Sequence, residues 1–351
     1  MAHPDDRDVK ESGGRGPVAA SRTPNEKRRP SRPPATGHWH PAACSLCSSP
    51  AVTFIRYSGS RLCREHFLGF VRRKVGREVR RQVRLPEKAV IAVAVSGGKD
   101  SIATLRILHD LLGQRRGTRI VAVTVDEGIR GYRPPSLQVV ARHCNELRLE
   151  HHIVSFKEAF GLTLDSTRRR WGASTPCTYC GVLRRHCLNR KARELGAGFL
   201  ATGLNLDDTA QSILMNICRG DVERLARLGP HGRVQEGLVP RLQPLRQVTD
   251  KEAFLYVTLM GYEVHHSVCP HAGGAMRNRF REVVSGLELA SPGTRFCILN
   301  SHDAMRAALE ERFPPAKLGK CPECGEPAVE GPCEACRLVR SLKPVAVNRE
   351  P

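Results

Sequence analysis

The chain has 351 residues, 40% of them apolar and 26% charged, enough to bury a core without help, which excludes a disulfide-stapled miniprotein. No apolar run approaches the roughly 18 residues of a membrane span, and the opening MAHPDDRDVKESGG is polar and acidic, unlike a signal peptide. Lys and Arg number 56 against 35 Asp and Glu, and the formal charge of +21 makes nucleic acid the leading partner. A cytoplasmic setting is expected, where 14 cysteines point to metals or reactive thiols rather than disulfides.

Residues 1–40 are rich in Pro, Gly, Ser and Arg with almost no large apolar side chain, so a disordered basic tail is expected. A small cysteine module occupies 41–67. Over 68–88 Val71, Val75, Val79 and Val83 continue a four-residue spacing begun at Phe67, with Arg72, Arg73, Lys74, Arg77, Arg80 and Arg81 between them. That pattern predicts an amphipathic helix with a basic outer face.

An α/β pattern follows over 89–316. Ala89 to Val95, Ile120 to Val125, Ile153 to Phe156 and Phe199 to Thr202 read as strands; Ser101 to Leu112, Ser136 to Leu147 and Val182 to Leu195 read as the helices between them. Leu206 to Cys218 and Lys251 to Gly261 read as further helices, and Gly229 to Gly237 as a loop. Alternation of this kind predicts a doubly wound parallel sheet covered on both faces, with ligands at the carboxyl ends of its strands. A second cysteine module spans 317–340, and 341–351 is a tail.

The first strand runs into Val95-Ser96-Gly97-Gly98-Lys99-Asp100-Ser101, which also opens the first helix. Two glycines let backbone approach a phosphate, the helix start offers free amides and a positive dipole, and Lys99 with the serines adds donors. The spacing is neither that of a P-loop nor that of a dinucleotide fingerprint.

SGGKDS after a strand resembles the PP-loop of the ATP pyrophosphatases. With Val125-Asp126-Glu127-Gly128-Ile129-Arg130-Gly131-Tyr132-Arg133, Cys177-Thr178-Tyr179-Cys180-Gly181-Val182-Leu183-Arg184-Arg185 and Ala201-Thr202-Gly203-Leu204-Asn205-Leu206-Asp207-Asp208, the chain resembles the cytosolic tRNA 2-thiolation proteins and their relatives acting on the T-loop uridine. The likeness covers about Cys44 to Cys336. It implies that Ser96, Gly97, Gly98, Lys99, Asp100 and Ser101 bind the phosphates of ATP with Mg2+. Val125 and Asp126 would lie near the nucleoside, and Thr202, Gly203, Asn205 and Asp207 would complete the pocket. Leu204 departs from the family, which usually carries His there.

Cys44-x2-Cys47 with Cys63-x2-His66, and Cys321-x2-Cys324 with Cys333-x2-Cys336, are closed four-ligand sets suited to structural zinc. Cys177 and Cys180 form a third CxxC without a partner pair, a pattern that by itself also suits a redox dithiol. The resemblance adds Cys269 and implies a 4Fe-4S cluster on three thiolates, its open iron able to hold sulfide. Cys144, Cys187, Cys218 and Cys297 read as core or incidental.

Between Arg168 and Arg193 stand eight Arg or Lys and no carboxylate. Such a run is commonly a solvated face, but flanking the CxxC it also suits a track for tRNA phosphates. Arg184 is the candidate beside the charge that develops on an activated uracil. The expected reaction is ATP-dependent uridine 2-thiolation, at the wobble position in preference to the T-loop, with Lys99, Asp100, Arg184, Asp207 and the three cysteines as its catalytic set. The expected partners are tRNA, a sulfur donor (sulfide or a ubiquitin-like thiocarboxylate carrier) and a second copy as a homodimer, with no membrane. A catalytically inactive zinc-module RNA-binding protein is the competing reading.

Overall fold

The computed structural model describes residues 42–170, 176–230, 235–273 and 276–342. The expected N-terminal tail, the side chains of Arg168, Arg169 and Arg170, and most of the expected C-terminal tail lie outside the described residues. No described helix is long and apolar enough to cross a membrane.

A hairpin of β1 (Thr53–Ile55) and β2 (Ser60–Leu62) leads directly into α1 (Arg64–Gln82). Phe67, Val71 and Val75 of α1 are fully buried, each such side chain contributing roughly 1.5–3 kcal/mol over exposure. The helix starts inside the first cysteine module and places His66 in its opening turn.

The central layer alternates strand and helix: β3 (Ala89–Ala94), α2 (Lys99–Leu112), β4 (Thr118–Asp126), α3 (Arg133–Leu147) and β5 (Glu150–Ser155). After α4 (Phe156–Phe160) and a 3-10 turn come α5 (Pro176–Glu194), β6 (Phe199–Ala201), α6 (Leu206–Cys218), α7 (Val222–Ala226) and β7 (Arg241–Leu242). The chain continues through α8 (Asp250–Met260), α9 (Met276–Ala290) and α10 (Thr294–Arg312). A small β8 (Gly319–Lys320) and β9 (Pro327–Ala328) hairpin with α11 (Glu334–Leu342) completes the described residues.

Among the described residues the main sheet is five-stranded and wholly parallel, in the order β5-β4-β3-β6-β7. The chain builds outward from β3 to β5, then returns to place β6 on the other side of β3, with Val93 opposite Ala201. The crevice at that reversal, beyond the carboxyl ends of β3 and β6, is where a doubly wound sheet binds ligands.

Successive side chains of β3 enter opposite layers. Ile91 and Val93 pack with α1, α2, α3 and α8, while Ala92 joins Val123, Leu200, Leu183 and Leu188 and reaches the C-terminal cysteine module. The strand therefore reads as a continuous apolar run while still alternating. Each cysteine module is packed into a different layer, the first through Ile55, Leu62 and Phe67, the second through Ala328, Ala335 and Leu342.

Candidate active site and metal centres

Ser96 to Ser101 turn from β3 into α2, which begins at Lys99, two residues before the expected start. Ser101 Oγ accepts from Ser96 N at 3.1 Å and donates to Gly98 O at 2.9 Å, closing the loop on itself. Gly97 has φ +86°, and a Cβ there would meet Ser136 O at 2.7 Å, so this turn requires glycine. A Cβ on Gly203 would meet the Asp100 carbonyl carbon at 2.9 Å; the turn after β6 is pressed against the start of α2.

Lys99 Nζ lies 2.7 Å from Asp100 and 2.6 Å from Asp250. Burial opposes its charge, but the two carboxylates outweigh that and raise its pKa. Asn205 caps α6 by accepting from Asp208 N at 2.9 Å, which aims its amide nitrogen at Asp100 Oδ1, 3.1 Å, and at Asp250 Oδ1, 3.3 Å. Asp207 accepts from Asp250 N at 2.8 Å and pairs with Arg295 at 2.7 Å, while burial raises its pKa. Asp250, supplied by the first turn of α8, carries no motif of its own, and reading the sequence missed it.

Asp126 ends β4 and accepts from Gly128 N at 2.8 Å. Val125 is buried in the core, so only its backbone faces the strand end. Thr202 and Gly203 follow β6, with Gly203 against Asp100 and Ser101 at the end of the loop.

Next to Asp126 lies the largest feature that sequence reading did not assign. The Glu127 side chain is 2% exposed and accepts from Arg133 Nε at 2.6 Å, while its other oxygen meets Arg184 Nε at 3.0 Å. Arg133 also donates to Ser96 O at 3.2 Å, and Arg184 Nη2 lies 2.9 Å from Cys180 Sγ. One chain of charge-assisted contacts thus runs from the glycine loop to the cysteine pair. A buried Glu beside a strand end with Arg six residues on was the available signal, but nothing local pairs it with Arg184.

Cys177 and Cys180 open α5, and Cys269 arrives on the segment after α8, whose His265 N donates to Gly97 O at 2.8 Å. Cys180 and Cys269 share an apolar pocket with Ile129, Leu164 and Tyr132, and Cys177 Sγ is 4.0 Å from His271 O. Burial pushes the Cys177 and Cys180 thiols up, and Arg184 pulls both back. The three converge less tightly than donors around one ion. Three neighbouring thiols are the donor set that the expected cluster takes.

The two end modules are tighter. Cys44, Cys47, Cys63 and His66, and likewise Cys321, Cys324, Cys333 and Cys336, each bring four donor atoms within 4.8 Å of one another. Cys44 and Cys63 Sγ approach His66 Nδ1 at 3.4 and 3.3 Å, and Cys324 Sγ lies 3.6 Å from Cys333 Sγ. Soft donors at such spacing can hold zinc in a closed tetrahedron.

The basic run is narrower than its sequence suggests. Arg190 and Lys191 pair with Glu194, and Arg193 pairs with Glu326 of the C-terminal module. On α1, Lys74 turns inward to Glu252 at 2.8 Å, whereas Arg73, Arg77 and Arg80 are exposed.

The PP-loop domain family matches residues 71–284, and the N-terminal LIM domain of the 2-thiouridine synthetase TtuA matches residues 44–68. The tRNA 2-thiolation protein NcsA of Haloferax volcanii is 34% identical over 319 residues, 86% of this chain and 99% of the relative. The tRNA-5-methyluridine(54) 2-sulfurtransferase of Pyrococcus horikoshii is 33% identical over 295 residues, 84% of this chain and 93% of its own. The solved U34-tRNA thiolase NcsA of Methanococcus maripaludis, with its 4Fe-4S cluster, superposes with a TM-score of 0.70 at 33% identity, covering 76% of this chain and 88% of that one. The glycine loop at the strand reversal, the converging cysteines and these likenesses together make the chain a member of the PP-loop tRNA 2-thiolation sulfurtransferase family.

Proposed function

We propose that the chain adenylates a tRNA uridine, at the wobble position, and replaces its 2-oxygen with sulfur. The observation that carries this reading is the run from Ser96 through Arg133, Glu127 and Arg184 to Cys180, which ties a phosphate-binding loop to a thiol site.

The amides at the start of α2, Ser96, Ser101 and Lys99 bind the phosphates of ATP. Asp100 and Asp250, held together by Lys99 and Asn205, are hard oxygen donors of the kind that Mg2+ accompanying ATP takes. Asp126, Thr202 and Gly203 border the nucleoside. The uridine oxygen attacks the α-phosphorus and pyrophosphate leaves; sulfur then displaces AMP from the uracil. Arg184, oriented by Glu127, stabilises the negative charge that develops on the ring. A 4Fe-4S cluster on Cys177, Cys180 and Cys269 supplies, when bound, an open iron that carries sulfide from free sulfide or a ubiquitin-like thiocarboxylate carrier. Residues 89–316 form the catalytic domain, the zinc modules at 41–67 and 317–340 frame it, exposed Arg73, Arg77 and Arg80 meet tRNA phosphates, and the working form is a homodimer.

Anaerobic protein incubated with tRNA, ATP and sulfide tests the reading, with nucleosides mapped by mass spectrometry. Expected are AMP and 2-thiouridine at the wobble position. Cys269→Ala should lose the brown colour, keep both zinc ions and tRNA binding, and form no thiouridine. Thiouridine only in the T-loop would move the substrate to the site named for the Pyrococcus relative, and no AMP with any tRNA would leave the inactive RNA-binding reading.

A further inference from the structure

Beyond the crevice, a cavity of about 1060 Å3 opens between the ends of β6 and β7, α5, α10 and the C-terminal module. Its walls include Leu204, Pro240, Val239 and Phe313, and its polar side carries Arg185 and Arg241. Thr202, which follows β6 at the crevice, is among its lining residues.

Arg184, Arg190 and Arg193 of α5 each have a carboxylate partner, but Arg185 and Arg241 have no ion pair among the described residues. Burial lowers the Arg241 pKa to about 10, and Arg185 adds repulsion. Arg241 is partly buried and Arg185 is exposed, and both remain charged near neutrality, so the cavity presents two cations that no described acid neutralises. Glu310 and Glu311 line the α10 side, and Glu310 is taken by Arg306 at 2.7 Å. Among the described residues, Gln243, 8% exposed, has a side-chain oxygen without a hydrogen-bond partner, as does Thr202. Paired cations, apolar walls and unused polar atoms match an anion attached to a flat apolar ring with polar edges.

We propose that this cavity receives an unpaired nucleotide next to the target uridine in the tRNA loop, its phosphate between Arg185 and Arg241 and its base against Leu204, Pro240 and Phe313. The inference rests on the tRNA reading above. A free nucleotide has the same chemistry, and separate ATP binding distinguishes the two sources. A base seated here fixes the loop's register, so the cavity selects which uridine reaches Arg184 and the cysteines.

The test compares wild type with Arg185→Gln, Arg241→Gln and the double variant in tRNA binding across a salt series, alongside ATP binding and thermal stability. Each single variant should weaken tRNA on the order of ten-fold and reduce the salt slope by about 0.7, the value for one phosphate contact on a single strand. ATP affinity should hold, and stability should stay level for Arg185→Gln, whose arginine is exposed, and level or higher for Arg241→Gln, where a partly buried unpaired charge has gone; a merely structural arginine would lower it. Ala307→Phe, which narrows the cavity from α10, should weaken tRNA without altering the slope. Unchanged tRNA affinity and slope in the double variant would overturn the proposal, as would loss of ATP binding alone, which would give the cavity to free nucleotide. If wild type itself binds no tRNA, the broader reading fails and this one with it; if wild type binds and the variants match it, only the cavity assignment fails.

Discussion

Glu127→Gln probes the contact chain that joins the nucleotide loop to the cysteines. The Glu127 and Arg133 side chains are 2% and 5% exposed, so removing the carboxylate charge strands a guanidinium in the core. Breaking a buried pair in this way costs about 3–5 kcal/mol, and the amide oxygen of Gln retains one acceptor, so about 3 kcal/mol is expected. An exposed pair of similar geometry would cost no more than about 1 kcal/mol. Denaturant unfolding of zinc-loaded protein reads the difference as a lower midpoint at constant slope. Arg133→Met in the same background removes the stranded cation, and the double variant should recover at least about 1 kcal/mol relative to additivity. Turnover should fall as well, because Arg184 loses the anchor that aims it. A loss below about 1 kcal/mol with additive behaviour would refute the argument that this pair is buried and coupled.

Lys99→Ala should cut AMP formation by at least about ten-fold, since it removes an ammonium aimed at the phosphates, and full activity would remove the loop's assignment. Strong chelation should release about two zinc ions per chain and unfold the end modules, read by metal analysis and proteolysis; zinc-free pure protein would contradict both sites. A pH series tests Asp303, where burial alone would raise the pKa but paired bonds from the buried Arg246 hold it well below 3.8. A depressed carboxyl contributes stability that is complete above the unfolded value and lost as pH falls toward the folded one. Asp303→Asn should therefore be less stable at neutral pH and lose less on acidification below about pH 4; parallel acid limbs would contradict this.

Local signals carried much of the fold. The apolar run of β3, the glycine turn into α2, the spacing on α1 and the two closed cysteine sets each involve residues close in sequence, where backbone geometry alone relates them. The helices of the later region differ: α9 and α10 were not foreseen, although Met276, Phe280, Val283, Val284 and Leu287 stand at helical spacing in α9, a stripe of which only Val284 is buried outright. The same limit applied at the site. Ser96 to Ser101 and the CxxC pair were legible, but Asp250 reaches Lys99 across 151 positions, and Glu127 meets Arg184 only because β4 and α5 are packed together. Charge was the least legible property, since Arg168 to Arg193 has no internal acid and yet Glu194 and Glu326 pair with Arg190, Lys191 and Arg193. Sequence determined which groups the chain carries and which segments turn or extend. Tertiary structure decided which charges neutralise one another, leaving Arg185 and Arg241 uncompensated, because that depends on distances of a few ångströms between segments far apart in the chain.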